Sequence, residues 1–313
     1  MAGANLTSAD TFLIVGFMDV PQLLRLSLFT AFSLIYVLTL VTNIVVIATI
    51  YLNSNLHTPM FFFLANLSVI DIGYTSVIFP KMLVHFFQEG THFSLTECLL
   101  QIYHLGFMMS TEFLLLTVMA YDRYVAICHP LRYMTIMNKE VCIRLAAASW
   151  LVGLLDSIPH VLLISKLSFC ESHTINHFFC DLTSLMKLSC SDTGTIDILT
   201  YILVAIMTLL SFLLIITSYV NIISSILKMK SRGGQRKAFS TCATHITVVL
   251  LFNGSVCSTY MRPKYLMREN KVLSLLYVAV TPLFNPLIYS LSNTEFKNAL
   301  KKTMTQMNNS KPF

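Results

Sequence analysis

Several side chains stand where keeping them is expensive. Asp71 and Glu112 each sit alone in the middle of a long apolar run, and Asn43 and Asn285 fall at similar depth in two other runs. A charge in mid-membrane costs several kcal/mol and is rarely kept without a partner. Two carboxylates and amide oxygens suit a hard cation; a protonated, hydrogen-bonded cluster with no ion would also satisfy them. Asp122-Arg123-Tyr124 lies at the end of another apolar run. An acid and a base there can form a lock with two settings, although a lone Arg at that depth can also snorkel to lipid phosphates. No phosphate-cradling glycine loop, zinc-protease motif or glycine-flanked nucleophile elbow occurs, so the sequence does not read as an enzyme. His245 is explained as a polar side chain near the membrane interface.

The elements that must hold these residues follow from composition. The chain has 313 residues, 55% hydrophobic and 12% charged, with a mean hydropathy of +0.70. Soluble domains carry about twice that charge. Residues 26–50, 198–227, 238–261 and 272–294 contain no Asp, Glu, Lys or Arg; residues 60–80, 99–121 and 145–163 contain one acid each, namely Asp71, Glu112 and Asp156. Each run is long enough to cross a bilayer, and inside lipid each must be a helix, because a helix satisfies its own backbone. The expected fold is an all-α membrane protein, a seven-transmembrane helix bundle. Three regions are expected: an extracellular N-terminus at 1–25, the seven-transmembrane domain at 26–294, and a cytoplasmic amphipathic helix with tail at 295–313.

Loop charge sets the orientation. More than half of the 21 Lys and Arg lie in loops on the C-terminal side, among them Arg132, Lys139, Arg144, Lys228, Arg232, Arg236, Lys297, Lys301 and Lys302. That side is expected to be cytoplasmic and the N-terminus outside. The net charge of +6 is thus a topology signal and implies no nucleic acid. No cleavable signal peptide is visible, and the first span is read as a signal anchor. Asn5-Leu6-Thr7 is a glycosylation acceptor on the outer side. Phe296, Leu300 and Met304 recur every fourth residue among lysines, which predicts an amphipathic helix on the inner membrane surface.

Of eight cysteines, Cys98, Cys170, Cys180 and Cys190 fall in outer segments, where disulfides persist. Four cysteines allow three pairings, and nothing in the residues chooses among them. Cys170, His173, His177 and Cys180 are also spaced like a tetrahedral zinc set. Three helical faces could line a pocket: Ile102, Leu105 and Met109 in the third span, Leu203, Val204 and Met207 in the fifth, and Asn253, Val256, Cys257 and Tyr260 in the sixth. They are apolar with a few polar tips (Ser110, Asn253, Tyr260), as a small hydrophobic ligand requires.

The end of the third span reads Met119-Ala120-Tyr121-Asp122-Arg123-Tyr124-Val125-Ala126-Ile127-Cys128. It resembles the signature of olfactory receptors within the rhodopsin-like G-protein-coupled superfamily. Leu56-His57-Thr58-Pro59-Met60, Ser218-Tyr219, Lys237-Ala238-Phe239-Ser240-Thr241-Cys242 and Pro282-Leu283-Phe284-Asn285-Pro286-Leu287-Ile288-Tyr289-Ser290 agree with it in family order. The chain departs from the family pattern at Phe61, Asn253 and Ser292.

The resemblance implies a fold and a set of roles. Arg123 would pair with Asp122 at rest and turn to Tyr219 and a G-protein on activation, with Tyr124, Lys237, Asn285, Pro286 and Tyr289 as further coupling residues. Asn43, Asp71, Glu112 and Asn285 would surround a sodium ion; no other cofactor is implied. Cys98 would pair with Cys180, and Cys170 with Cys190. The pocket faces would open into the outer half of the bundle and take a small odorant. Leu105 stands where amine receptors carry Asp, which disfavours a biogenic amine. A stimulatory G-protein would raise cyclic AMP, and the receptor would sit in the plasma membrane of sensory-neuron cilia. A channel or transporter is disfavoured, because the chain shows no repeat symmetry. A chemosensory receptor of the same fold acting outside the nose is a further alternative.

Overall fold

Long apolar segments with no charge to solvate leave the backbone one solution in lipid. The computed structural model, which describes residues 11–17, 20–87, 91–170, 173–229, 231–261 and 271–309 (side chains at 237, 240, 241, 271, 272, 291, 292 and 306–309 excepted), is a bundle of seven helices crossing a membrane. They are α1 (Gln22–Leu52), α2 (Pro59–Val84), α3 (Leu95–Cys128), α4 (Lys139–Ile164), α5 (Gly194–Leu227), α6 (Arg232–Tyr260) and α7. The last runs through Lys271–Leu275, a π-helical stretch Leu276–Val280, and Thr281–Ser292. A further helix, α8 (Thr294–Asn309), follows.

The helices are longer than the charge-free runs that predicted them. A terminal charged residue does not end a helix whose backbone is already hydrogen-bonded, so α1 takes in Arg25 and α4 takes in Lys139 and Arg144. Local signals set several starts. Ser94 and Glu97 form a reciprocal capping box at α3: the Glu97 amide donates to Ser94 Oγ at 3.2 Å and the Ser94 amide to Glu97 Oε2 at 2.9 Å. Asn138 caps α4 through the Val141 amide, and Pro59 occupies the first turn of α2, where its missing N–H costs nothing.

α3 is the central rod, packed against α2, α4, α5 and α6. In its membrane window 61% of residues are buried, against 22% in α1 and α5, so α1 and α5 form the lipid-facing rim. Their exposed Leu34, Val41, Leu209, Leu213 and Val220 belong to that rim. Gly153 lets α4 approach α3: a Cβ there would stand 2.8 Å from the Phe107 carbonyl oxygen and closer still to Thr111 Oγ1. Gly106 serves the same contact from the α3 side, with Ser157 Oγ 2.7 Å from where its Cβ would be.

The end of the bundle near Cys98 carries a feature that sequence reasoning missed. Three short strands form a sheet in the order β2–β1–β3: β1 (Thr11–Ile14), β2 (Thr91–Ser94) antiparallel to it, and β3 (Thr174–Ile175) parallel. The segment before α1 is thereby stitched to the loops preceding α3 and α5. Phe12 and Ile14 are fully buried, and Phe17 stacks on Phe86 and Phe178 with centroids 4.5 and 4.2 Å apart. Gly16 makes the turn out of β1 at φ +53°, a conformation that favours glycine.

At the opposite end, α8 is tied to the bundle by Phe296, 2% exposed and near Phe61, and by Asn53 Nδ2 donating to Thr303 Oγ1 at 2.9 Å. Met304 stays exposed, as an amphipathic helix against a membrane would have it.

Candidate functional site

Two disulfides brace the sheet end. Cys98 pairs with Cys180 and Cys170 with Cys190. That consumes both cysteines of the zinc-like spacing, so Cys170, His173, His177 and Cys180 cannot form a thiolate site, and the described residues hold no cluster of metal-ligating His, Cys, Asp and Glu. The Cys180 amide also donates to Gln101 Oε1 at 2.8 Å, so the long loop between α4 and α5 is fastened twice to α3.

Beneath that loop lies a cavity of about 80 Å³. One water needs about 10–15 Å³ of such space, so the cavity has room for a small organic molecule and not for a peptide. α3 contributes Ile102, Leu105, Gly106, Met109, Ser110 and Phe113; α5 contributes Thr200, Leu203, Val204 and Met207. Asp156, Ser157 and His160 come from α4, Cys180, Asp181 and Leu182 from the loop, and Tyr260 from α6.

The α3 and α5 residues expected from sequence all face this cavity, as does Tyr260. Asn253, Val256 and Cys257 do not. α6 packs along α5 and α7, and these three are used up in that packing. Val256 is fully buried, and Cys257 Sγ lies 3.8 Å from Thr208 Oγ1. Asn253 donates to the Val249 carbonyl at 2.9 Å while its buried Oδ1 has no partner. Only at Tyr260, one turn further, does α6 reach the cavity; its hydroxyl meets Asp181 Oδ1 at 3.2 Å and the Tyr277 hydroxyl at 3.1 Å. The α4 contribution went unforeseen. Asp156 and His160 lie one turn apart on one face, and Asp156 is as solitary in its apolar run as Asp71 or Glu112, so the same cost argument would have found it.

Below the cavity the buried acids meet. Asn285 Nδ2 donates to Asp71 Oδ1 at 3.0 Å and to Glu112 Oε1 at 3.3 Å. Asp71 and Glu112 are fully buried, and their other oxygens, with Ser68 Oγ, have no hydrogen-bond partner. Asn43 stands apart: its Nδ2 donates to Thr39 and to the Pro282 carbonyl at 3.1 Å, leaving Oδ1 unpartnered. The donor set fits a small hard cation. It has two carboxylates joined through one amide, with spare oxygens and no basic residue among its contacts.

At the far end the expected lock is wired differently. Asp122, 1% exposed, accepts from the Tyr133 hydroxyl at 2.8 Å. The ion pairs among the described residues are Lys81–Glu97 and Arg144–Glu140, so Arg123 does not pair with Asp122. The reason is geometric: neighbouring residues on a helix do not face each other. Asp122 looks toward the short helix Tyr133–Ile136, and burial, with the Asp122 carboxylate beside it, pushes the Tyr133 hydroxyl well above its ordinary pKa. Tyr124 bonds His129 at 3.1 Å.

His245, read from sequence as an interfacial polar residue, is fully buried and bridges three helices. Its Nδ1 meets the Tyr219 hydroxyl at 2.9 Å and its Nε2 the Leu116 carbonyl at 3.1 Å. Tyr289 packs nearby, its ring centroid 6.3 Å from His245, three residues beyond the in-helix Pro286. Lys237 lies on α6 with its side chain outside the described residues, and Asn5 lies outside them altogether.

Seven membrane-crossing helices, a disulfide-braced lid over a small cavity and a buried polar chain at the other end define a seven-transmembrane receptor. The olfactory receptor family model matches residues 32–307. The chain is 44% identical over 304 residues to olfactory receptor 1G1 of Gorilla gorilla gorilla, covering 96% of this chain and 97% of that one. It is 43% identical over 297 residues to olfactory receptor 6P1 of Homo sapiens (94% and 93%) and 44% identical over 306 residues to olfactory receptor-like protein COR4 of Gallus gallus (97% and 98%). This chain belongs to the olfactory receptor family, whose members are receptors and not enzymes.

Proposed function

We propose that the cavity binds a small odorant and that its occupancy is relayed to a stimulatory G-protein, which raises cyclic AMP. In this reading the sheet and disulfides face outward, the N-terminus is extracellular with Asn5 glycosylated, and the receptor works in the plasma membrane of sensory-neuron cilia. The observation that carries it is the polar chain Tyr219–His245–Leu116. It ties α5, α6 and α3 together at the end away from the cavity, where release of α6 would uncover Arg123, Tyr124 and Tyr219 to a partner. A ligand that binds the released arrangement better than the tied one shifts the population by that difference and by nothing else.

Asp71 and Glu112, with Asn285 orienting them and Ser68 alongside, would hold a sodium ion in the tied state, with Asn43 outside that set. The ion would neutralise the buried carboxylates. Glu112→Gln should then abolish any sodium dependence of the ligand response; a response indifferent to sodium in wild type and variant alike would favour a protonated cluster.

The decisive experiment screens an odorant panel in cells carrying a cyclic-AMP reporter. Wild type is expected to respond to at least one small odorant, and Arg123→Ala to stay silent at equal surface display. Full signalling by Arg123→Ala would refute its role. A ligand-gated current in liposomes holding only this protein would favour a channel instead.

A further inference from the structure

The cavity carries two carboxylates and, among the described residues that line it, no Lys or Arg. The two acids are not equivalent. Asp181 is saturated: its Oδ1 accepts from Tyr260, and its Oδ2 from the Thr183 amide at 3.0 Å, the Ser184 amide at 3.3 Å and the Thr183 hydroxyl. It caps the short helix Leu182–Met186 and serves the loop.

Asp156 has no such task. Its one hydrogen bond from a side chain is the Ser110 hydroxyl, on Oδ2. His160, one turn further along α4, turns its Nε2 to Thr200 Oγ1 at 3.1 Å and makes no ion pair with Asp156. The position is nonetheless built with care. Gly153 and Gly106 allow the α3–α4 approach that sets Asp156 against Ser110. Asp156 is half-buried at the cavity wall, and a carboxylate within a membrane span without a positive partner is still costly.

We propose that the missing charge comes with the ligand: the cavity takes a small organic cation, a protonated amine with an apolar body. Its ammonium sits on the Asp156 carboxylate and its body lies against Leu105, Met109, Leu203 and Met207. An alcohol would satisfy a hydrogen bond there but leave the charge uncompensated, and a carboxylic acid would add a like charge. The expectation drawn from Leu105 is thereby reversed, because the acid enters from α4 and not from α3. This inference rests on the cavity being the ligand site.

The test uses the full-length receptor in lipid nanodiscs at neutral pH and three probes of one length: hexylamine, hexanol and hexanoic acid. Ligand-induced rise in melting temperature reports binding without requiring any G-protein. Hexylamine is expected to act at a concentration at least about tenfold lower than hexanol, a difference of about 1.4 kcal/mol, and hexanoic acid not at all. Asp156→Asn, which keeps the shape, should remove the amine's advantage and leave hexanol unchanged; Asp156→Glu should retain part of it. Equal potency of amine and alcohol in wild type overturns the proposal, as does an amine preference that survives Asp156→Asn. If the Asn variant does not fold, the wild-type probe series decides alone. A cavity-filling Leu203→Trp separates the two readings. If it blocks hexanol while hexylamine has no advantage, the cavity reading stands and the cation proposal falls. If hexylamine still binds the filled variant, the ligand lies elsewhere and both fall.

Discussion

The two ends of this bundle spend their polar residues in opposite ways. At the sheet end, disulfides and a three-stranded sheet fix the lid, and the helices beneath keep a space between apolar side chains and one under-used carboxylate. At the Arg123 end there is no disulfide among the described residues. Beyond apolar packing, the polar ties there are single hydrogen bonds, among them Tyr133 to Asp122, Tyr219 to His245, and His245 to the Leu116 carbonyl. Covalent bracing suits a region that must keep its shape to recognise a ligand. A net hydrogen bond contributes about 0.5–1.5 kcal/mol, and about 1.5–3 where a carboxylate accepts, which suits the release proposed for this end. The difference teaches where the molecule can move.

The largest effect should come from cutting the brace. Cys98→Ser should cost about 2–5 kcal/mol and deplete surface receptor, read by melting temperature and surface labelling. Cys170→Ser should cost about 1 kcal/mol less, because its partner is 20 residues away against 82 for Cys98. Equal losses would mean that loop closure is not what these bonds supply.

Gly153→Ala strikes the α3–α4 contact that underlies the cavity. A Cβ 2.8 Å from the Phe107 carbonyl must displace backbone, at about 1–3 kcal/mol. The melting temperature and the odorant response should both fall, the second more than a remote destabilising change of equal size would cause.

Tyr133→Phe sharpens the contrast from the other end. It leaves the buried Asp122 carboxylate without its donor, a cost of about 1–3 kcal/mol borne by the tied state. Basal cyclic AMP should rise while the odorant concentration for half-response moves little. A change in odorant selectivity would contradict the division of labour.

The smallest effect is pH-dependent and belongs to the sheet end. His85 is buried under Gly16 and beside Phe93, and its ring nitrogens have no hydrogen-bond partner. Burial, reinforced by the Lys81 ammonium, pushes it from 6.5 down to about 4. Its folded form therefore binds fewer protons than the unfolded chain between those values, so stability falls as pH drops from about 6.5 toward 4 and is flat above. Melting temperatures at pH 7 and pH 5 should differ less in His85→Phe than in wild type.

Much of this was legible in the residues. The seven runs were plain because lipid makes charge costly over some twenty consecutive positions, so that no run keeps more than one acid. The facing of α3 and α5 was plain because helical spacing fixes which side chains share a side. The sheet was not, since strands of four, four and two residues show no alternation long enough to notice. The π-helical stretch in α7 left no mark in the pattern. Asn253, Val256 and Cys257 share a face, but spacing cannot say whether a face meets a cavity or a neighbouring helix. The Asp122–Arg123 pair came from the family resemblance and not from the residues; here Asp122 turns instead to Tyr133, which lies on a separate short helix that no spacing in α3 could point to.

The measurement that bears most directly on the account is the distance between spin labels at Arg132 and Arg236, both exposed at the end away from the cavity, in receptor whose partly exposed Cys128 and Cys257 are replaced. Addition of an activating odorant should lengthen that distance as the Tyr219–His245–Leu116 chain opens, and Leu203→Trp should prevent the change. A distance that stays fixed while the odorant raises cyclic AMP would contradict the relay.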